Sequence, residues 1–235
     1  MNAWESMVRS NLERVLERIE AACLRSGRSP QEVKLVAVTK YLGLDEMRRL
    51  FQLNVEHVGE NRVQSALPKW QQLGDQGTWH FVGHLQTNKV RDVIGRFQYI
   101  HSLDRISLAQ ELDKRAASTG VPVSCFVQVN VSGEASKYGL DPQEVLNFVE
   151  KIGNMKYIRV VGLMTMAPIV ENPEEARPVF RRLREIRDQV REMQIANVPA
   201  EHLSMGMSGD FEVAVEEGAT FVRLGRILYQ PMGGG

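Results

Sequence analysis

The stretch Val33-Lys34-Leu35-Val36-Ala37-Val38-Thr39-Lys40-Tyr41 is a short, β-branched apolar run that stops at a lysine. Its length and composition read as a strand buried on both faces, as in a parallel sheet. A lysine at the C-terminal end of such a strand is poorly placed for solvation, because lysines are almost never fully buried without a partner. A partly buried ammonium loses proton affinity, and the neutral amine is a nucleophile able to form a Schiff base. The competing reading of Lys40 is a strand-end side chain that snorkels to water or pairs with a carboxylate.

Working outward, strand-like runs recur at 55–58, 79–83, 97–102, 121–131, 158–164, 202–204 and 220–224. Helical stretches lie between them, at 45–53, 61–73, 89–95, 105–118, from 141, at 174–194 and at 211–217. Pro68 implies a kink or break in the second of these. Asp104 is a candidate helix cap, and Asp141-Pro142-Gln143-Glu144 reads as a helix start with a capping carboxylate. A leading helix over 3–25 carries Trp4, Val8, Leu12, Val15, Leu16, Ile19 and Cys23 on one stripe, with Gly27 as its stop. Strands alternating with helices imply a parallel sheet. Eight repeats in about 200 residues suit a closed (β/α)8 barrel of the TIM type, here with an extra N-terminal helix. The competing open, doubly wound sheet wants an early G-x-G-x-x-G turn, and none follows the first strand. We read 1–230 as a single barrel domain and 231–235, Pro-Met-Gly-Gly-Gly, as a flexible tail.

Composition narrows the function classes. The 29 basic and 29 acidic side chains cancel, which argues against a nucleic-acid or polybasic membrane footprint. No run of about 18 apolar residues occurs, and the first ten residues hold no signal-type apolar core. Cys23 and Cys125 have neither metal-ligand spacing nor the look of a disulfide framework, so a cytoplasmic setting is expected. No long apolar stripe is left over by a barrel, which fits a monomer.

In a barrel the chemistry sits on the loops after the strands. Those positions supply Lys40, Asn61, His84, Ser102 and Asp104, Ser132 and Lys137, Met164 and Thr165, Ser208 and Gly209, and Arg223, Gly225 and Arg226. Ser208-Gly209-Asp210 opens a short helix after the seventh strand, where Ser208 can act as its N-cap and free N–H groups can face an anion. Gly225, after the eighth strand, permits close main-chain approach. Barrels often bind phosphate with these two loops. Alone, Ser208 is also readable as an ordinary cap and Gly225 as a turn residue. A phosphate cradle plus a strand-end lysine points to pyridoxal phosphate (PLP). Arg223, two residues before Gly225, faces the same way, where it either meets the cofactor ring or pairs with a barrel carboxylate. An arginine cannot give up a proton, so beside a pyridine nitrogen it would weaken the ring as an electron sink. His80 and His84, four apart across a strand end, make no obvious metal pair; His57, His101 and His202 read as hydrogen-bonded structural residues rather than ligands or bases, and Ser102 with Asp104 fits no hydrolase triad order.

Six motifs extend the argument: Ala37-Val38-Thr39-Lys40, Gly59-Glu60-Asn61-Arg62-Val63-Gln64, Trp79 through Lys89, Gly162-Leu163-Met164-Thr165-Met166, Leu203-Ser204-Met205-Gly206-Met207-Ser208-Gly209-Asp210, and Arg223-Leu224-Gly225-Arg226. In this order they resemble the pyridoxal phosphate homeostasis protein family, whose fold is similar to the N-terminal barrel of alanine racemase. The resemblance implies PLP held as a Schiff base on Lys40. It implies a phosphate held by Ser208, Gly209, Gly225 and Arg226, Arg223 at the pyridine nitrogen, Asn61 beside the ring and Met164 lining the pocket. It also implies a non-catalytic protein that buffers or delivers PLP, possible recipients being PLP-dependent apo-enzymes, with effects on amino-acid and keto-acid balance. Racemisation needs acid–base groups on both faces of the imine. The chain ends just after the eighth strand, so no second domain is expected to supply the other base. A racemase using Lys40 alone, and a barrel binding a phosphorylated metabolite without any imine, remain as alternatives.

Overall fold

A computed structural model describes residues 3–134 and 137–231. Eight parallel strands close into one barrel in sequential order, β1 returning to pair with β8. The strands are β1 (Lys34–Val38), β2 (His57–Glu60), β3 (Thr78–Phe81), β4 (Tyr99–Leu103), β5 (Val123–Gln128), β6 (Ile158–Met164), β7 (His202–Ser204) and β8 (Phe221–Leu224). Between and around them lie α1 (Ala3–Arg25), α2 (Leu44–Gln52), α3 (Val63–Leu73), α4 (Val90–Val93), α5 (Ile106–Ala117), α6 (Val145–Ile152), α7 (Arg177–Glu192), α8 (Phe211–Glu216) and α9 (Arg226–Tyr229). The expected TIM-type (β/α)8 barrel with a leading helix is the observed fold. No helix among the described residues is long and apolar enough to cross a membrane.

Side-chain alternation along each strand builds two separate cores. The outward-facing residues, such as Ala37, Val58, Trp79, Ile100, Cys125 and Leu203, pack against the helices in one continuous cluster. The inward-facing set is small: Val36, Phe126, Val161, Met164 and Phe221, with Tyr99 and Met166 against them. A barrel of this kind is usually filled with branched aliphatic side chains. Here buried His80, His101, Ser204 and Arg223 take much of that space.

The extra helix α1 lies across α8 and α9. Buried Asn11 donates to the carbonyls of Leu228 (3.2 Å) and Gln230 (3.0 Å), and Arg18 pairs with Glu212 at 2.7 Å. Several local expectations are corrected. Helix α3 runs unbroken through Pro68, whose face is exposed, so the Gln64 carbonyl left without a partner can turn to water. Asp104 does not cap α5; it is taken by the Arg105 guanidinium at 2.6 Å. Asp141 accepts from Gln143 N–H at 2.8 Å in a turn, and α6 starts only at Val145. The fifth strand is shorter than its apolar run because Val121 and Pro122 stay exposed before it. Of the expected tail, 232–235 lies outside the described residues.

Candidate functional site

Lys40 sits two residues past the end of β1. Register explains its neighbours: Val38 pairs with Gly59 of β2, and Ala37 pairs with Leu224 of β8. Carried forward, that register sets Lys40 level with Asn61 on one side and with Ile227, one residue past Arg226, on the other, at the C-terminal mouth. The expected burial of Lys40 is overturned. The residue is exposed, and its Nζ lies 4.9 Å from the centre of the Tyr41 ring, itself 83% exposed. The buried lysine is another one, Lys69 on α3. Its Nζ donates to Glu60 Oε1 at 2.7 Å and to the Thr39 carbonyl at 2.8 Å, while Thr39 Oγ1 donates to the same Glu60 oxygen at 2.7 Å. This cluster, in which both bonds to Glu60 fall on Oε1 and buried Oε2 has no partner among the described residues, clamps the backbone immediately before Lys40. Asn61, half-buried at the end of β2, is held from the other side: a Cβ on Gly83 would meet its carbonyl oxygen at 2.1 Å.

The two glycine loops meet beside this lysine. Ser208 is not the cap of α8; that position belongs to Asp210, whose carboxylate accepts from Met207 N–H at 2.6 Å. The Ser208 hydroxyl instead accepts from Ile227 N–H at 3.5 Å, joining the loop after β7 to the start of α9. A Cβ on Gly209 would meet nothing within 4 Å, and one on Gly225 would only touch Val38 at 3.7 Å. Among the described residues, the N–H groups of Gly209, Gly225 and Arg226 donate to no group of the chain. An open concavity edged by free amide donors and a hydroxyl suits an anion. Gly206, at φ +96 and with only 2.7 Å between its missing Cβ and that of Ala214, is the residue that lets the loop fold this tightly.

Below the mouth, Arg223 is buried in the barrel. Its two terminal nitrogens donate to Ser204 Oγ (2.6 Å) and the Thr165 carbonyl (2.9 Å). Burial lowers its pKa to about 10, which leaves it charged at neutral pH. Among the described residues it forms no ion pair, so the pairing alternative for Arg223 is not what the structure shows. Asp210 acts on it only through space, and burial raises that carboxyl above the ordinary range. Met164 is fully buried in the inner core, under the mouth rather than on its surface.

The remaining mouth residues do not converge into a second site. His84 stacks on Tyr138 with ring centres 4.0 Å apart and lies 3.6 Å from Asp104, while the buried Ser102 hydroxyl has no partner among the described residues. A cleft of about 530 Å³ opens at the opposite rim, around Thr78, Phe97 and Pro122. Its one charged side chain, Arg96, is already engaged by the carbonyls of Arg91 and Asp92. Sequence reasoning missed the Lys69–Glu60 clamp and a run of linked histidines behind Arg223. The signal for the latter was present: His57, His80 and His101 recur at nearly one βα repeat apart on consecutive strands.

Residues 10–232 match the family model described as alanine racemase, N-terminal domain. The chain is 45% identical over 230 residues to the pyridoxal phosphate homeostasis protein of Aquifex aeolicus, covering 97% of this chain and 98% of that one. It is similar to the structure of PipY of Synechococcus elongatus with PLP bound, at 34% identity and a TM-score of 0.79, over 92% of this chain and all of that one. An alanine racemase of Clostridium difficile, 16% identical with a TM-score of 0.75, shares the fold over 97% of this chain and 58% of its own. The chain belongs to the pyridoxal phosphate homeostasis protein family.

Proposed function

We propose that this protein binds PLP at the barrel mouth and serves cofactor homeostasis as a carrier rather than as an enzyme. The observation that carries the reading is the meeting of one exposed amine, Lys40, with two open glycine loops whose free N–H groups fit a phosphate. When bound, PLP supplies an aldehyde that condenses with a lysine amine, and an electron-withdrawing ring. Lys40 is the residue for the aldehyde. Ser208, Gly209, Gly225 and Arg226 are the residues for the phosphate, chiefly through main-chain N–H groups and the Ser208 hydroxyl. Asn61 flanks the ring and Met164 floors the pocket. Arg223 donates to the ring nitrogen and never protonates it, which keeps the ring a weak electron sink.

The exposure of Lys40 supports carriage over catalysis. An open mouth gives poor control of reactive intermediates, and it suits loading and release. PLP-dependent apo-enzymes are the natural recipients. The zero net charge and the two buried free cysteines fit a cytoplasmic monomer.

Absorbance and isotope exchange test this together. PLP added to the protein should give a new absorption band that is lost in Lys40→Ala. In D2O, α-proton exchange across a panel of amino acids should not exceed that with free PLP. A colourless protein overturns the PLP reading, and exchange well above free PLP overturns the carrier reading in favour of a racemase-type enzyme with Lys40 as its base.

A further inference from the structure

The barrel interior holds a continuous line of polar atoms that the proposed function does not use. His57 Nδ1 lies 3.0 Å from His80 Nε2, His80 Nδ1 lies 2.9 Å from His101 Nε2, and His101 Nδ1 lies 2.8 Å from Ser204 Oγ. Ser204 Oγ then accepts from Arg223 at 2.6 Å. Register makes it a staircase. His57 is level with Thr78 and His80 is level with Tyr99, so each histidine stands two residues further along its strand than its predecessor. The line therefore climbs from the N-terminal rim at His57 to Arg223 beneath the mouth. Rings hold it in place: His80 stacks on Tyr99 at 4.7 Å, His101 stacks on Phe126 at 4.3 Å, and Phe221 touches all three imidazoles.

Proton counting gives the line a direction. Burial pushes His80 and His101 well below the ordinary imidazole range, and His57 below it too, so each is neutral with one donor and one acceptor nitrogen. Arg223 can only donate, so it always points a proton at Ser204 Oγ. Among the described residues that oxygen has one other contact, His101 Nδ1, and Ser204 is wholly buried. The hydroxyl proton therefore goes to His101 Nδ1. His101 then carries its proton on Nε2 and donates to His80 Nδ1, and His80 donates from Nε2 to His57 Nδ1. Each imidazole turns its lone-pair end toward the guanidinium. The aligned dipoles solvate a buried cation that has no ion pair, and each bond polarises the next.

We propose that His57, His80, His101 and Ser204 are positioning residues for Arg223, forming one directed hydrogen-bond chain in which every imidazole carries its proton on Nε2. The chain holds Arg223 charged with no carboxylate to compete for its donors, which leaves it free for an acceptor at the mouth. The link to the ring nitrogen rests on the PLP reading above, whereas the direction of the chain does not.

Long-range proton–nitrogen NMR on histidine-labelled protein without added PLP, near pH 7.5, reads the tautomers. Wild type should show all three imidazoles as the Nε2–H form. Arg223→Met frees Ser204 to accept from His101, so an Nδ1–H population should appear as far away as His57. His57→Ala should leave His80 and His101 unchanged, because the direction is set at the Arg223 end. An Nδ1–H form at any of the three in wild type overturns the proposal, as does a His57 signal indifferent to Arg223→Met. With PLP loaded, His80→Gln should speed cofactor release roughly fivefold, the scale of one neutral hydrogen bond, and shift the bound-cofactor absorption band. A band and release rate equal to wild type would sink the positioning role while leaving PLP binding intact. Failure of wild type to bind PLP would be a failure of the earlier reading alone.

Discussion

Lys69 shows how much of this site depends on residues that never reach the ligand. Its ammonium and the Glu60 carboxylate are both buried, 10% and 0% exposed at the side chain, and they meet at 2.7 Å, with Thr39 donating to the same carboxylate oxygen. Removing one partner of such a pair strands the other charge in a low-dielectric interior, at about 3–5 kcal/mol. Lys69→Met should therefore lower the unfolding free energy by that amount in a urea titration, and it should loosen the backbone that presents Lys40. Replacing both partners, with Glu60→Gln added, should recover part of the loss. A single variant as stable as wild type would show the pair to be dispensable. None of this was legible in the sequence. Lys69 falls on a helix position that reads as polar surface, and only the closeness of α3 to the end of β2 buries it. Lys40 shows the reverse case: a strand-end lysine that reads as poorly solvated is in fact open to water, because the chain turns at Thr39 and carries Lys40 out of the mouth.

The elements themselves were largely legible, and the reason is periodic. β6 and α1 occupy the residues their apolar patterns predict, since each buries a face whose period leaves little choice. Where the pattern failed, a local bond won: the Ser208 hydroxyl is drawn to α9, a four-residue helix with too little pattern to be seen. That small helix ties α1 to the site. Asn11 holds its C-terminal end through two carbonyls, while Gly225 and Arg226 at its N-terminal end edge the glycine loops. Asn11→Ala removes both bonds and leaves a buried carbonyl wanting, a loss of about 1–3 kcal/mol. The same variant should release bound PLP faster, although Asn11 lies on the far side of α9. Unchanged stability and unchanged release would detach α1 from the function of the mouth.

At the scale of the whole molecule the buried titrating groups set the dependence of stability on pH. His80 and His101 are held well below the ordinary imidazole pKa of 6.5 by burial, and His57 and His202 are lowered for the same reason. Below pH 6.5 the unfolded chain takes up protons that the folded barrel refuses. Stability is therefore fully present above 6.5 and is lost as pH falls toward the depressed folded values. Two protons correspond to about 2.7 kcal/mol per pH unit once the unfolded imidazoles are charged. Glu216 and Glu217, which are lowered despite burial because arginines bond to them, act in a separate window below 4.5. On the alkaline side the sign reverses. Burial raises the Cys125 thiol and the Tyr229 phenol above 9.0 and 10.0, so the unfolded chain ionises first and stability falls as pH rises through that range. Urea titrations from pH 8 to 5 should give a level top near neutrality and a steep fall below 6.5. His101→Asn, though less stable at pH 7.5, should show that acid fall reduced by about one proton, roughly 1.4 kcal/mol per pH unit. A wild-type curve that stays level down to pH 5 would mean that the barrel opens enough to charge its histidines without unfolding, and the directed chain behind Arg223 would lose its physical basis.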